Sequence, residues 1–211
     1  MFVEHLPDDR GQAHTLEAFT AALLLVAGLV FATQATAVTP LSASTSNQHI
    51  ENQQAIAAGD VLSTTNERGD LKRALLYWNA TERGFIGGND RGYYTELSAM
   101  RDETDPAAAN PLYRPFREAF NASGVAFDVV VRYPDDGQLA TQSVVDMGEP
   151  TDNAATASVR VPLYTDDRLV DRTGDETTTA VSETEYFAPP DATGSETLYT
   201  VVEVRLTAWQ M

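Results

Sequence analysis

Residues 9–38 read DRGQAHTLEAFTAALLLVAGLVFATQATAV, a short polar lead into a long apolar run with one carboxylate, Glu17, set inside its mouth. From residue 16 to residue 38 the only clearly polar interruptions are Glu17, Gln34 and scattered threonines. As a helix, these 23 residues would span roughly 34 Å at ~1.5 Å each, enough for the core of a bilayer. A charge is costly in hydrocarbon, so an acid kept there is expected to have a partner or a task. Threonine hydroxyls can bond back to the helix. The small-xxx-small pairs Ala18/Ala22 and Gly28/Ala32 favour contact between membrane helices.

Three readings of this start compete. The first is a secretory signal, with Ala35-Thr36-Ala37 as an A-x-A cleavage site before Val38. Against it, the preceding polar stretch is long and acidic (Glu4, Asp8, Asp9), and Glu17 interrupts the apolar region. The second is an uncleaved anchor, which needs nothing special at Arg10-Gly11. The third treats Arg10-Gly11-Gln12 as a processing site just ahead of the apolar helix.

Composition narrows the partners. Acidic residues outnumber basic ones 31 to 14, for a net charge of -17 and a pI near 4.3. Lys72 is the only lysine; the other basic residues are arginines. Nucleic-acid binding through phosphates needs Lys/Arg in excess, so no nucleic-acid partner is expected. Docking on anionic lipid through a basic patch is disfavoured for the same reason. With no cysteine, disulfides, thiolate metal sites and cysteine nucleophiles are excluded. The acidic balance with scarce lysine resembles proteins of salt-loving archaea, whose dense carboxylates keep the surface hydrated while salt screens their repulsion. An acidic protein of an ordinary organism is the other reading.

The string RGQAHTLEAF resembles the class III signal peptide of archaeal type IV pilin-like proteins, and the opening of about forty residues resembles an uncharacterised group of haloarchaeal pilin-like membrane proteins; the remainder carries no motif of that group. Arg10 and Gly11 match the pre-cleavage pair, Gln12 the new N-terminus and Glu17 the glutamate inside the helix. By this resemblance a prepilin-peptidase-like membrane protease would cut between Gly11 and Gln12, and the apolar segment would stay attached. Glu17 would then register neighbouring pilin-like subunits. It would stand sixth in the mature chain, whereas common pilin patterns place the glutamate fifth, a phase difference of about 100° around a helix. The implied protein is a minor pilin or pseudopilin of a type IV filament or secretion system.

Beyond the apolar run, Thr39-Pro40 is expected to end or kink the helix. A stalk helix is predicted over 44–62, with Ile50, Ala57 and Val61 at helical spacing, and a short helix over 69–78 with Leu71, Leu75 and Trp78 on one face. One or two helical turns are predicted within 94–101, and a further helix over 112–122 carries Leu112, Phe116, Ala119 and Phe120. The pattern then changes to strands at 125–133, 139–147, 157–164, 168–170 and 198–209, the last being the longest. Pro134-Asp135-Asp136-Gly137 reads as a hairpin turn, and Pro162 places its strand at a sheet edge or bulge. Residues 172–196 read as a long acidic loop pinned by Tyr186-Phe187. The fold class is α+β: an N-terminal transmembrane and stalk helix, then an antiparallel sheet of four or five strands, as in pilins. The organisation is a leader over 1–11, a membrane helix over 12–38, a helical stalk over 39–62 and an extracellular α+β domain over 63–211.

No motif calls for catalysis, a cofactor or a metal ion, so the expectation is a non-enzymatic protein. His5, His14 and His49 all precede the sheet domain. The glycine-rich stretch 84–94 lacks the Gly-Lys-Ser/Thr ending of a phosphate loop, and glycines and aromatics at loop bends account for it better. Asp135-Asp136, Asp166-Asp167 and Asp171 lack the spacing of a calcium loop. Asn79-Ala80-Thr81 and Asn121-Ala122-Ser123 would permit N-glycosylation on an exported domain. The function expected is a single-pass surface protein of the cell membrane with its C-terminal domain outside, whose partners are the lipid bilayer, other pilin-like subunits and the processing protease. The alternative is a monotopic membrane protein whose ectodomain binds a ligand or partner.

Overall fold

The computed structural model describes residues 9–36, 39–101, 108–120, 124–191 and 196–210, with side chains described over 14–32 and, in the later segments, from 51 onward. The chain divides into two units, Met1–Gln48 and His49–Met211. The elements are a mixture of helix and antiparallel sheet, with an apolar helix ahead of a sheet domain, as the α+β expectation holds.

In the first unit, α1 covers Asp9–Thr36, 28 residues. It starts ahead of the apolar run, so Arg10, Gly11 and Gln12 belong to its first turns. The end of the expected span, 37–38, lies outside the described residues. Helix α2 covers Thr39–Glu67, which puts Pro40 in its first turn, where a missing N–H leaves no helical hydrogen bond unmade. The proline therefore opens the second helix. Within α1 the Thr20 hydroxyl donates to the carbonyls of Leu16 and Glu17, both at 2.9 Å, the back-bonding expected of its threonines.

The sheet domain takes in α2 from His49 onward. The buried line on this part of α2 is Gln54, Ala58, Leu62 and Thr65, with Ala57 and Val61 half-buried beside it. Ile56 stays exposed. The apolar line is thus rotated by one residue from the expected Ala57–Val61 face, because Gln54 and Thr65 are satisfied inside. Thr65 donates to Val61 O at 2.7 Å, and the Gln54 amide, oriented to suit its neighbours, donates to Asn153 O at 3.1 Å and accepts from Gln210 N at 3.2 Å.

Helix α3, Asp70–Leu76, buries Leu71, Ala74, Leu75 and Leu76. The expected extension to residue 78 is not made: Trp78 leaves the helix and forms strand β1, Trp78–Asn79, against β2, Gly84–Phe85. Outside the helix, the indole reaches an aromatic cluster, with Phe85 and Phe187 each at 5.3 Å and Tyr186 at 6.1 Å, and its Nε1 donates to Glu185 O at 3.2 Å. The predicted turns in 94–101 reduce to one 3₁₀ turn, Ser98–Met100. Helix α4, Tyr113–Phe120, turns Phe116 and Phe120 onto Phe127, each at 5.1 Å. The remainder of its predicted span, 121–122, lies outside the described residues.

The main sheet contains β3 (Val125–Asp135), β4 (Gln138–Val145), β5 (Ala155–Tyr164) and β8 (Leu198–Gln210), in the order β4-β3-β8-β5 and antiparallel throughout. Strand β8 is central because its Val202, Val204, Leu206 and Ala208 alternate into the core. Strand β5 is an edge strand, which is where Pro162 can sit without breaking a ladder. The β3–β4 hairpin is tighter than predicted. Pro134 pairs with Leu139 inside the ladder, and the turn is Asp136-Gly137 alone, with φ of 49° and 78°. Pro134 lies past Arg132, the last β3 residue paired with β8, so its missing N–H costs nothing on that side.

Residues 172–191 are not the open loop expected. Strand β6, Arg168–Val170, pairs with β7, Glu176–Ala180, and a 3₁₀ turn follows at Val181–Glu183. Val181 and Ala188 are fully buried. Tyr77 Oη donates to Arg172 O at 3.1 Å and Tyr186 Oη to Leu75 O at 3.0 Å, so hydroxyls, as much as apolar area, fix this segment.

Candidate functional site

Helix α1 is the feature with the strongest functional content. All residues 14–32 are exposed, among them Leu16, Phe19, Leu24, Leu25, Leu29 and Phe31, the last 76% exposed. Soluble surfaces rarely carry an apolar area of this kind without something to cover it. Residues 14–32 form the one segment among the described residues long and apolar enough to cross a membrane, and a signal sequence would meet the same measure.

Glu17 sits at the start of that segment. Its Oε2 lies 3.5 Å from Nδ1 of His14, one turn earlier, and both side chains are more than 80% exposed. That pairing is local and open, and leaves one face of the carboxylate free for another molecule. Gly28 has open space where a Cβ would stand, and Ala18, Ala22 and Ala32 are exposed beside it along the helix. Arg10, Gly11 and Gln12 share the helix with Glu17, but their side chains lie outside the described set. His49 falls in α2 and His5 lies outside the described residues.

The other residues singled out by sequence are scattered. Asn79 is half-buried in β1, and its Oδ1 accepts from the N–H groups of Thr81 (3.0 Å) and Glu82 (3.2 Å), so it organises the turn to β2. Asn121 lies outside the described residues. In 84–94 several amides are bonded internally: Phe85 N to Gly92 O, Gly88 N to Phe85 O, Asn89 N to Tyr93 O, Gly92 N to Asn89 O. That loop is built by the close approach of Gly84 and Gly92, with further amides bonded to the Asn89 side chain and, for Ile86 and Tyr94, to Tyr77 O and Val144 O.

The paired aspartates also serve the backbone. Asp167 Oδ2 accepts from Tyr164 N at 2.7 Å and pairs with Lys72. Asp171 Oδ1 accepts from the Thr173 hydroxyl at 2.7 Å and from the N–H of Asp175 at 3.0 Å; these bonds, the hydroxyl's first, hold its pKa below the usual carboxylate value. Asp128 is the opposite case: burial pushes its pKa up, against the Met147 N–H that it accepts at 2.8 Å. Among the described residues, no three His, Asp or Glu side chains gather as a metal site would need.

One arrangement had no counterpart in the sequence reading. A cleft of about 480 Å³ is lined by Arg68 from the turn between α2 and α3, Arg101, and Arg114 and Arg117 from α4, with Tyr113 and Asn110 at its wall and Asp70 as its one acid among the described residues. Only the Arg114/Arg117 spacing, three apart on one helix, hinted at it; the other two arginines arrive from distant segments.

An exposed apolar helix joined in sequence to an α+β domain, with a polar turn at its start, defines a class of chains that carry either a membrane span or a signal sequence. The chain belongs to the family of unknown function DUF7288, which it matches over residues 10–208, a stretch that takes in the apolar helix as well as the sheet domain. No curated protein and no solved structure matches it.

Proposed function

We propose that this protein is a pilin-like surface protein held in the cell membrane by α1, with its sheet domain outside, acting as a minor pilin or pseudopilin subunit of a type IV filament or secretion system. The observation that carries the reading is the uncovered apolar helix with Glu17 at its mouth. The lipid bilayer covers it in the precursor. After a prepilin-peptidase-like cut between Gly11 and Gln12, helices of neighbouring pilin-like subunits would cover it instead. Glu17 sets the register of that bundle, since an acid among apolar side chains is tolerated only with a partner. The family match supports a shared role for the helix, because it includes the helix along with the domain.

N-terminal sequencing of the native protein tests this directly. Gln12 as the first residue is expected. Val38 as the first residue would mean that the apolar helix is a discarded signal, and an intact start would leave only an anchor. A Gly11→Val substitution should leave the precursor uncut, seen as a slower band on a gel.

The second reading, a monotopic membrane protein whose ectodomain binds a ligand, is favoured by the arginine cleft. It needs the anchor but neither cleavage nor assembly.

A further inference from the structure

We propose that the cleft between the α2–α3 turn, α4 and Arg101 binds a multivalent oxyanion, a small molecule carrying two or more carboxylate or phosphate groups. This gives the second reading of the ectodomain its ligand class, and it stands whether or not α1 is processed.

Charge is the first argument. In a chain of net charge -17, four of the arginines line one cleft against, among the described residues, the single carboxylate of Asp70. Arg68 Nε pairs with Asp70 Oδ2 at 3.2 Å. Elsewhere in the domain Arg83 pairs with Glu185 at 2.6 Å and Arg132 with Glu203 at 3.6 Å. Among the described residues, no acid comes within ion-pair distance (4.0 Å) of Arg101, Arg114 or Arg117. A positive cluster left open on so acidic a protein is a place for negative charge to arrive from outside.

The guanidinium groups are also positioned. Arg101 and Arg117 stand over the Tyr113 ring, at 5.9 and 5.4 Å from its centroid. Stacking on a ring holds the planar group while leaving its N–H edge free for a carboxylate or phosphate. The wall behind is fixed by Asn110, buried, whose Oδ1 accepts from Leu112 N at 3.0 Å and whose backbone N–H donates to Met100 O at 2.8 Å. The cleft volume of about 480 Å³ suits a small molecule. Multivalency follows from the field of the whole chain. A distant anion is repelled, so binding has to come from several short, bidentate contacts made together.

The test uses the full chain in detergent micelles, titrated calorimetrically with citrate and, separately, with pyrophosphate at fixed KCl. At least one of the two should bind once per chain, with affinity falling as KCl rises. The arm that binds tells carboxylate from phosphate. Arg114 and Arg117 are exposed, so R114Q/R117Q should keep its thermal midpoint and lose affinity by about tenfold or more. R160Q, an exposed arginine on β5, should bind as wild type does. Failure of both probes overturns the proposal, as does equal affinity in R114Q/R117Q. Binding of a hexaglutamate peptide with neither small anion would assign the cleft to a protein partner and overturn it too. Asp102, Glu103 and Asp105 follow Arg101 in sequence and lie outside the described residues. Binding that appears only in D102N/E103Q/D105N would mean that the chain neutralises its own arginines, and would also overturn it.

Discussion

Lys72 Nζ lies 2.6 Å from Asp167 Oδ2 and 4.6 Å from the centroid of the Tyr164 ring, so the chain's one lysine joins α3 to the turn between β5 and β6. Both partners are largely buried, at 27% and 17% side-chain exposure, which raises the pair above an ordinary surface bridge. Lys72→Met should cost about 1–2 kcal/mol, because it leaves Asp167 without its cation but with the Tyr164 N–H. Asp167→Ala should cost more, since it removes both bonds. Urea unfolding of the two variants checks the order; equal stability to wild type in both would make the pair decorative.

Gly84 and Gly92 hold the β1–β2 loop by contact. A Cβ on Gly84 would stand 2.5 Å from Gly92 Cα, and one on Gly92 would stand 2.7 Å from Gly84 Cα at a φ of +81°. Backbone on both sides cannot give way as a side chain end can. Gly84→Ala is expected to cost about 2–3 kcal/mol and to disturb the aromatic cluster at Phe85. Gly59→Ala serves as the control: it lies in α2 with open space around the new methyl, and should gain up to ~1 kcal/mol. Thermal midpoints shifting in opposite directions would verify both.

Burial raises the pKa of Tyr94 and Tyr186 above the ordinary tyrosine value. Their hydroxyls donate to Ile86 O at 2.7 Å and to Leu75 O at 3.0 Å, and a phenolate could do neither. The unfolded chain releases these protons near pH 10, while the folded chain keeps them to higher pH. Stability from these groups is therefore complete below about pH 10 and lost as pH rises through the folded values. Tyr186→Phe should cost about 1 kcal/mol at neutral pH, by leaving the Leu75 carbonyl unpaired, and should flatten the alkaline fall. A denaturation series from neutral to alkaline pH on both proteins measures it.

The strands of the main sheet were legible because one face is buried and one is not. Val202, Val204, Leu206 and Ala208 alternate with Glu203, Arg205 and Thr207, and a period of two is hard to mistake. Strand β7 was not legible: its sequence, ETTTA, has β-branched residues but no apolar alternation, and it is held by pairing with β6. Trp78 mimicked a helix position because it follows Leu71 and Leu75 at helical intervals. Its place is decided instead by Phe85 and Phe187, which a local pattern does not see. The arginine cleft was hidden for a similar reason, since Arg68, Arg101 and Arg114 meet only through tertiary structure. Helix α1 and Glu17 were plain, being written in one unbroken stretch.

Glu17 yields the last prediction. Its one ion-pair partner among the described residues is His14, at 3.5 Å and open to the surroundings, so the carboxylate has capacity for a group on another chain. Removing the charge eases insertion, by up to about 3 kcal/mol for a charge at the helix centre and less near the mouth, so Glu17→Gln should fractionate with membranes at least as well as wild type. What it should lose is association of like chains. The chain has no cysteine, so Ala22→Cys, one turn beyond Ala18 on the small-residue line that begins next to Glu17, gives a clean reporter of helix contact. Oxidised membranes carrying Ala22→Cys alone should show a disulfide-linked dimer. Adding Glu17→Gln should reduce that dimer several-fold while membrane content holds. An undiminished dimer would strip Glu17 of its part in register, and loss of the protein from the membrane would make the acid part of the anchor itself.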